Sequence, residues 1–358
     1  MLTRPCARRG YALLAPHTPQ QRLTPVSAIF AVLFLTSFLL NCVLVVRGWR
    51  SWTNPLDDYQ GLKRYPLVEN VLDRHPHPHA NVTTEHAIAT TLYNDAYAAA
   101  VATLGHSLRK VNTTARMVLL YFPDNVSPEA LCLATSSGFV PQPVERIAPP
   151  DNGRGMNPHF ADQYTKLSLW TLDTSPQPIT SLVYLDSDTL VLRNFDELFT
   201  LPYTFAAAPD VYLDARGFTT GFNAGVMLLK PDSRLYRQLR ASVPAARFPR
   251  EMAEQAFLNQ FFATDVLRLP YAYNGNIALK QRSRGVWDGI RAEMRVIHYT
   301  IVKPFVSHSW KTVPLDKMEE RVQAAAQEHG GLFEEEMLHW GELWRETRSL
   351  YSREMEHC

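Results

Sequence analysis

Hydrophobic positions along the chain fall into two main patterns. Residues 26–46 are uncharged throughout, which is long enough for a helix rising about 1.5 Å per residue to cross a hydrocarbon layer about 30 Å thick. From residue 88 onward, short β-prone apolar runs alternate with segments of helical periodicity. That alternation is typical of a mostly parallel sheet with helices on both faces, so the sequence predicts an α/β domain behind one transmembrane helix.

The first elements of this domain can be assigned from the same runs. The pattern predicts strands at residues 87–92 and 117–121, and helices at residues 96–110 and 128–137. Residues 182–185 are apolar and β-prone without a helical period, which indicates a strand buried on both faces of a parallel sheet. The chain length allows one large domain of roughly 250 residues with appendages, rather than several equal domains.

The two appendages differ in composition from the domain between them. Residues 47–87 hold four prolines and little periodicity, which predicts a stem. Its alternating His75, His77 and His79 are interpreted as solvated linker, because residues two apart in a proline-rich chain do not share a face. Near the carboxyl terminus, residues 332–351 are predicted to form an amphipathic helix that packs onto the domain, with membrane or partner contact as the alternative. Its apolar face comprises Phe333, Met337, Trp340, Trp344 and Tyr351.

The orientation of the apolar helix follows from three acceptor tripeptides for glycosylation. Basic residues flank the helix on both sides, so positive charge does not decide it. Asn81, Asn112 and Asn125 all lie after the helix and favour a luminal domain. An uncleaved anchor is favoured over a signal peptide, whose apolar region is usually about 7–15 residues long. Cys132 and Cys358 lie on the luminal side, and their pairing stays open.

Composition and motifs exclude several classes of protein. The net charge is only +1, so nothing indicates a nucleic-acid partner. Gly153-Arg154-Gly155 lacks the third glycine of a dinucleotide-binding motif, and the lysine motif of a P-loop is absent from the sequence. The oxidoreductase and P-loop classes are therefore disfavoured.

Two carboxylates follow the buried strand directly. Asp186 and Asp188 are separated by one residue and are expected at an exposed strand end. Ligands of open α/β sheets bind outside the carboxyl ends of strands, and two carboxylates there can bind one hard divalent cation. The sequence therefore predicts a site for a cation that holds the diphosphate of a nucleotide.

Six segments, in order from about residue 88 to about residue 305, resemble glycosyltransferase family 8, the retaining family that includes glycogenin. They are TLYNDAY at residues 91–97, YTKL at 164–167, YLDSDTL at 184–190, FNAGV at 222–226, EQAFLN at 254–259 and HYTIVKPF at 298–305. The resemblance implies a GT-A type α/β fold and transfer of a sugar from a nucleotide diphosphate sugar, commonly UDP-linked, with Mn²⁺.

The same resemblance implies roles for individual residues. Asp186, Asp188 and His298 would be the metal ligands, a mixed oxygen and nitrogen set that suits Mn²⁺. Glu254 would grip sugar hydroxyls and Gln255 would lie under the reacting carbon. The remaining contacts to the nucleotide, phosphates and sugar would come from Leu92, Tyr93, Asn94, Tyr97, Lys166, Asn223, Gly225 and Lys303. The sequence departs from the family pattern in three places: Ala224 replaces a serine, Glu254 replaces an aspartate, and the loop from His298 to Lys303 is short.

The leading prediction is a metal-dependent retaining glycosyltransferase of the Golgi or endoplasmic reticulum membrane, with a single anchor, a luminal domain and a carbohydrate or glycoconjugate acceptor. Its divisions are a cytoplasmic tail (residues 1–25), the anchor (26–46), the stem (47–87), the transferase domain (88–312) and a helical extension (313–358). Two alternatives stay open. One is a catalytically silent relative that binds carbohydrate, because the loop after His298 is altered. The other is a sugar nucleotidyltransferase, against which the anchor argues.

Overall fold

The computed structural model describes residues 25–51, 85–307 and 310–358. The chain divides into two units, residues 1–53 and residues 54–358. In the first unit, Pro25–Ser51 forms helix α1. Its part Pro25–Val46 is long and apolar enough to cross a membrane, and none of it is buried. The helix agrees in position and length with the predicted anchor. Its length and composition are the grounds for assigning it as a membrane span.

Most of the predicted stem lies outside the described residues. Residues 52–84 are in that stretch, so the His-Pro tract and Asn81 are not located. The α/β domain begins with the first strand after it.

Within the described residues of the second unit, a seven-stranded sheet forms the centre of the domain. Its order is β3-β2-β1-β4-β7-β6-β8. The strands are β1 His86–Leu92, β2 Arg116–Tyr121, β3 Val140–Pro143, β4 Ser181–Leu185, β6 Phe205–Val211, β7 Phe218–Leu229 and β8 Leu267–Arg268. Strands β1 to β4 pair in parallel, β7 is antiparallel to both of its neighbours, and β8 is parallel to β6. The prediction of a mostly parallel α/β sheet is confirmed.

Helices alternate with strands as far as β4, as the sequence predicts, and β5 (Thr189–Val191), β6 and β7 then follow one another without an α-helix between them. The helices are α2 Ala98–Lys110, α3 Pro128–Thr135, α4 Ser233–Ser242, α5 Ala253–Phe261, α6 Ile277–Arg282, α7 Arg284–Ile290, α8 Met318–Gln327, α9 Glu334–Leu350 and α10 Ser352–Glu356. A long 3₁₀ segment, Pro158–Thr174, leads into β4. Two apolar cores form, one on each face of the sheet, because both faces of the inner strands are apolar.

A second, small sheet stands beside the first and has the order β5-β10-β9. Its strands are β5 Thr189–Val191, β9 Gly275–Asn276 and β10 Val296–His298. β5 follows β4 after only three residues, so the acidic motif is the link between the two sheets.

The carboxyl-terminal extension packs on the domain, as predicted. Phe333, Met337, Trp340 and Trp344 are each at most 2% exposed, so the apolar face of α9 is part of the core rather than a membrane surface. A disulfide joins Cys132 in α3 to Cys358, with 5.4 Å between their Cα atoms. The pairing that the sequence left open therefore exists in the structure.

Candidate active site

Three potential metal ligands converge at the carboxyl end of β4. Each of Asp186, Asp188 and His298 offers a ligand atom within 4.8 Å of those of the other two. His298 Nε2 is 3.2 Å from Asp188 Oδ1 and 3.8 Å from Asp186 Oδ2. Two carboxylates and one imidazole suit a transition-metal ion such as Mn²⁺ better than Ca²⁺. The donor set therefore fits the divalent cation that the sequence predicts.

Strand pairing in the small sheet brings the histidine to the acidic motif. β5 begins at Thr189, directly after Asp188, and Thr189 pairs with His298 at the end of β10. The main-chain N–H of Tyr299 also donates to Asp188 O at 2.9 Å. Two segments that are distant in sequence are thereby locked in register. Asp188 is only 9% exposed, so the expectation of an exposed strand end is wrong for this residue, because the small sheet covers it.

Gly225 leaves space for the imidazole ring. Its carbonyl oxygen accepts a hydrogen bond from Asp186 N at 2.7 Å, which places it beside the acidic motif. A Cβ atom at this position would lie 2.1 Å from His298 Cε1 and 2.7 Å from His298 Nδ1. The resemblance implied a close approach of the donor to this glycine. In the structure the close neighbour is the ring of His298.

A chain of amide side chains sets the orientation of the same ring. The main-chain N–H of Gly225 donates to Asn223 Oδ1 at 3.0 Å, and Asn274 Nδ2 donates to that oxygen at 2.9 Å. Since a main-chain N–H can only donate, the oxygen of Asn223 must face it, and Asn274 must then turn its own oxygen to His298 Nδ1, 3.1 Å away. His298 Nδ1 is thus the donor nitrogen, and Nε2 faces the two carboxylates as a metal ligand would.

Lys303 reaches the acidic motif in spite of the short loop. Its ammonium group contacts the Asp188 carboxylate and donates to Tyr299 O at 2.7 Å. Burial alone would raise the pKa of Asp188, but the positive charge of Lys303 beside it holds that pKa well below its ordinary value. The altered loop was the reason to keep a catalytically silent relative as an alternative. In the structure this loop still brings Lys303 to Asp188.

Lys303 contacts Asp188, whereas Lys166 lies between the carboxylates of Asp186 and Glu254. Its Nζ is 2.8 Å from Asp186 Oδ1 and 2.9 Å from Glu254 Oε1. Burial opposes a charged lysine, yet Asp186 and Glu254 together raise the pKa of Lys166 above its ordinary value. Burial also raises the pKa of Glu254, and Lys166 counteracts part of that rise. The hydroxyl of Tyr184 donates to Asp186 Oδ1 at 2.5 Å.

Gln255 is held at both ends of its amide. Ala224 N donates to Gln255 Oε1 at 2.9 Å, and Gln255 Nε2 donates to Asp210 Oδ2 at 2.8 Å. The other oxygen of Asp210 accepts from Asn223 Nδ2 at 3.2 Å and from Val211 N at 2.9 Å. Burial raises the pKa of Asp210, although these three donors oppose the rise. One hydrogen-bonded network therefore connects Gln255 to the metal ligands through Asn223.

The comparison with known protein families gives a match over most of this domain. The sequence profile of Glycosyl transferase family 8 covers residues 88–307, which is more than half of the chain. The chain belongs to Glycosyl transferase family 8. The family, the GT-A type fold and the glycosyltransferase class that the sequence predicts are confirmed, and a sugar nucleotidyltransferase is no longer a candidate.

Relatives of this family 8 chain include glycogenin of Neurospora crassa, which is 31% identical over 66% of this chain and 34% of its own length. Galactinol synthase 1 of Ajuga reptans is 28% identical over 58% of this chain and 68% of its own length. Among solved structures, the apo form of the glycosyltransferase GlyE of Streptococcus pneumoniae aligns with a TM-score of 0.47 and 18% identity, covering 75% of this chain and 64% of that one. The chain thus spans about a third of the length of the Neurospora relative.

The residues that the family 8 resemblance assigns to the nucleotide lie at the end of β1. Leu92 is fully buried in the core, so its side chain offers no surface to a ligand. Tyr93 stacks on Phe122 with 4.6 Å between ring centroids. Asn94 is exposed and caps the turn that follows by accepting from Ala96 N at 3.0 Å. Tyr97 is partly buried and packs edge-on against a phenylalanine. Of these four side chains Asn94 is exposed and Tyr97 partly so, whereas Leu92 and Tyr93 are buried. Their contact with the nucleotide stays a prediction.

Three residues that hydrogen-bond within this site were given no role from the sequence. Asp210 is the penultimate residue of β6, Asn274 precedes β9, and Tyr184 lies within β4. Asp210 does carry a sequence signal, because it is a carboxylate at the end of an apolar run, as Asp186 is. Asn274 carries none, because its role depends on the pairing of β9 with β10.

Proposed function

We propose that this protein is a retaining glycosyltransferase that moves a sugar from a UDP-sugar to a carbohydrate or glycoconjugate acceptor with the help of Mn²⁺. The observation that carries the proposal is the convergence of Asp186, Asp188 and His298, with ligand atoms within 4.8 Å of one another. Two buried lysines flank this cluster, Lys166 on one side and Lys303 on the other. Cations on both sides of an acidic cluster suit a diphosphate that leaves with increasing negative charge.

The roles proposed for the acidic cluster and the lysines follow from charge. A divalent cation held by Asp186, Asp188 and His298 would act as a Lewis acid on the diphosphate oxygens. Lys303 would bind the phosphate side of the donor, because it contacts Asp188. Lys166 and Glu254 would face the sugar side, because their ion pair lies on the other side of Asp186. Contacts that strengthen as negative charge develops in the transition state lower the activation barrier. Contacts that are equally strong in the ground state and the transition state do not.

Retention is proposed to proceed on one face of the sugar. A double displacement requires a free carboxylate as nucleophile. Glu254 is engaged by Lys166 at 2.9 Å, and Asp210 is engaged by three hydrogen-bond donors. Gln255 is a weak nucleophile and is itself held by Ala224 and Asp210. The proposed step therefore breaks the bond from the anomeric carbon to the phosphate oxygen and forms the bond to the acceptor oxygen on the same face, and the leaving phosphate takes the acceptor's proton.

The location proposed is the membrane of the Golgi or the endoplasmic reticulum, with the second unit in the lumen and the helix Pro25–Val46 as the anchor. The disulfide between Cys132 and Cys358 supports a luminal domain, because disulfides persist in oxidising compartments. Asn112 and Asn125 are both exposed, as glycan acceptors require. The tail, stem and domain boundaries predicted from the sequence are retained as part of this proposal.

The experiment that tests the proposed function uses the full chain in detergent. The protein is incubated with Mn²⁺ and each of a panel of nucleotide sugars, and the release of free nucleotide is measured. We expect release from a UDP-sugar in the presence of Mn²⁺ and none after chelation. Gln255→Ala is expected to lower turnover while leaving UDP affinity nearly unchanged, because a residue under the reacting carbon acts on the transition state. No release from any donor, or release that ignores chelation, contradicts the proposal.

A further inference from the structure

The loop that carries Lys303 is held from outside the family domain. Arg321 lies in α8, beyond residue 307 where the family match ends. Its guanidinium donates from Nε to Val306 O at 2.6 Å and from a terminal nitrogen to Lys303 O at 2.9 Å. The other terminal nitrogen pairs with Glu328 at 2.6 Å. The side chain of Arg321 is only 10% exposed, so these contacts are made away from water.

The loop needs such a partner because it is buried without being regular. Residues 302–305 are buried and form neither helix nor strand, and Val306 makes only an isolated β-bridge with Thr312. Carbonyl groups in a buried irregular segment must find hydrogen-bond donors elsewhere, and Pro304 cannot supply a main-chain N–H to help the segment fold on itself. The planar fork of a guanidinium can hold two carbonyls at once. Arg321 holds the carbonyls of Lys303 and Val306 in this way.

Two further contacts from the extension reach the same loop. The hydroxyl of Tyr299 donates to Glu336 O in α9 at 3.0 Å. Phe305 packs on Trp340 of α9 with 5.5 Å between ring centroids. The loop is therefore held at its beginning, at Lys303 and at its end by helices α8 and α9.

We propose that Arg321 is a positioning residue for Lys303, so that the carboxyl-terminal extension completes the donor site. This inference rests on the proposed function, because it takes Lys303 to bind the donor's phosphates. Arg321 would not touch the donor itself. It fixes the main chain at Lys303, and thereby the direction in which the ammonium group meets Asp188.

The test is a double-mutant cycle read as the affinity for UDP in saturating Mn²⁺, measured by calorimetric titration of the full chain in detergent. We expect Arg321→Ala to weaken binding by about tenfold, which corresponds to about 1.4 kcal/mol. In a Lys303→Ala background we expect Arg321→Ala to weaken it by less than about twofold, because the residue acts through the lysine. Arg321→Lys keeps the charge but loses the fork and should give an intermediate affinity. Millimolar methylguanidine should restore part of the affinity of Arg321→Ala.

The matched control is Arg345→Ala on α9. Arg345 also belongs to the extension and pairs with Glu319 at 3.7 Å, but its side chain is 61% exposed, so UDP affinity should stay at the parent value. If Arg321→Ala does not fold, Arg321→Lys with and without Lys303→Ala gives the same cycle. If Arg321→Ala lowers the UDP affinity equally in both backgrounds, or in neither, the inference is overturned. The proposed function still stands in that case, because the parent binds UDP. A parent that does not bind UDP overturns both.

Discussion

Replacing Lys166 by methionine removes the cation that lies between two carboxylates. Methionine is of similar length and apolar, so the change is mainly one of charge. Lys166 is 3% exposed and Glu254 is 5% exposed, so water cannot compensate for the loss. Breaking a buried ion pair by removing one partner lowers the free energy of unfolding by about 3–5 kcal/mol. For a domain of this size that corresponds to a fall in Tm of roughly 6–10 °C.

The stability lost in Lys166→Met should depend on pH, and the surroundings of Glu254 determine whether it grows or shrinks as the pH rises. Burial raises the pKa of Glu254 above its ordinary value of 4.5, and Lys166 opposes the rise. Without the lysine the pKa of Glu254 rises further, and the folded variant retains a proton that the unfolded chain releases. The contribution of Glu254 to the variant's stability is therefore greatest below about pH 4.5 and is lost as the pH rises through the raised pKa. We expect the difference in Tm from the parent to be smaller at pH 5 than at pH 7.5.

Thermal melts of parent and variant at these two pH values measure the effect, and titration with UDP and Mn²⁺ measures its functional consequence. Lys280→Met is the matched control, because Lys280 forms a second buried ion pair, 2.7 Å from Glu336, on the carboxyl-terminal side of the domain. It should lose similar stability but much less UDP affinity than Lys166→Met, because its partner Glu336 reaches the Lys303 loop only through the Tyr299 hydroxyl. A Lys166→Met protein with the parent's Tm at both pH values refutes this account of the charge balance.

Three further predictions concern the glycine, the disulfide and the surface asparagines. Gly225→Ala should abolish Mn²⁺-dependent UDP binding in a calorimetric titration, because the new Cβ would lie 2.1 Å from the imidazole of the metal cluster. Cys358→Ser should lower the Tm to the value of the parent in dithiothreitol, because the disulfide closes a loop of 226 residues and contributes up to about 5 kcal/mol. Asn112→Gln and Asn125→Gln should each remove one glycan from chain made in a eukaryotic secretory host, seen as increased gel mobility.

The glycine prediction has a matched control, and each of the three has an outcome that would contradict it. Gly285→Ala in α7 should leave binding intact, because a Cβ there meets nothing within 4 Å, and should add up to about 1 kcal/mol of stability. A Gly225→Ala protein that binds UDP as Gly285→Ala does would show that the imidazole does not lie against the glycine. A further fall in the Tm of Cys358→Ser on adding dithiothreitol would contradict the disulfide assignment. Parent protein whose mobility is unchanged by an amidase would contradict the luminal orientation.

The fold could be predicted from the sequence where local pattern decides structure. The strands His86–Leu92 and Ser181–Leu185 were predicted within one residue, because an apolar run between turns can hardly be anything else in an alternating chain. The packing of α9 was predicted because its apolar residues share one helical face. These are properties of single segments, which need no knowledge of what lies beside them.

The candidate site was predictable only in part, because it depends on contacts between segments. Asp186 and Asp188 could be found from the end of one strand. His298 needed a family resemblance, since nothing local shows that β10 pairs with β5. Asn274 and Arg321 were missed, because each acts through hydrogen bonds to a segment distant in sequence. Such contacts arise from topology and leave no periodicity in the chain.

The central claim is that Asp186 and Asp188 hold a cation that binds the donor's diphosphate. The most direct measurement is titration of the full chain with UDP, with and without Mn²⁺, for the parent, Asp186→Asn and Asp188→Asn, beside a thermal melt of each. Asparagine keeps the size and removes the charge, so we expect both variants to lose the Mn²⁺-dependent part of UDP binding while remaining folded. Asp186→Asn is the cleaner variant, because its side chain is 22% exposed and that of Asp188 only 12%. A folded Asp186→Asn protein that binds UDP in Mn²⁺ as tightly as the parent would contradict the metal site.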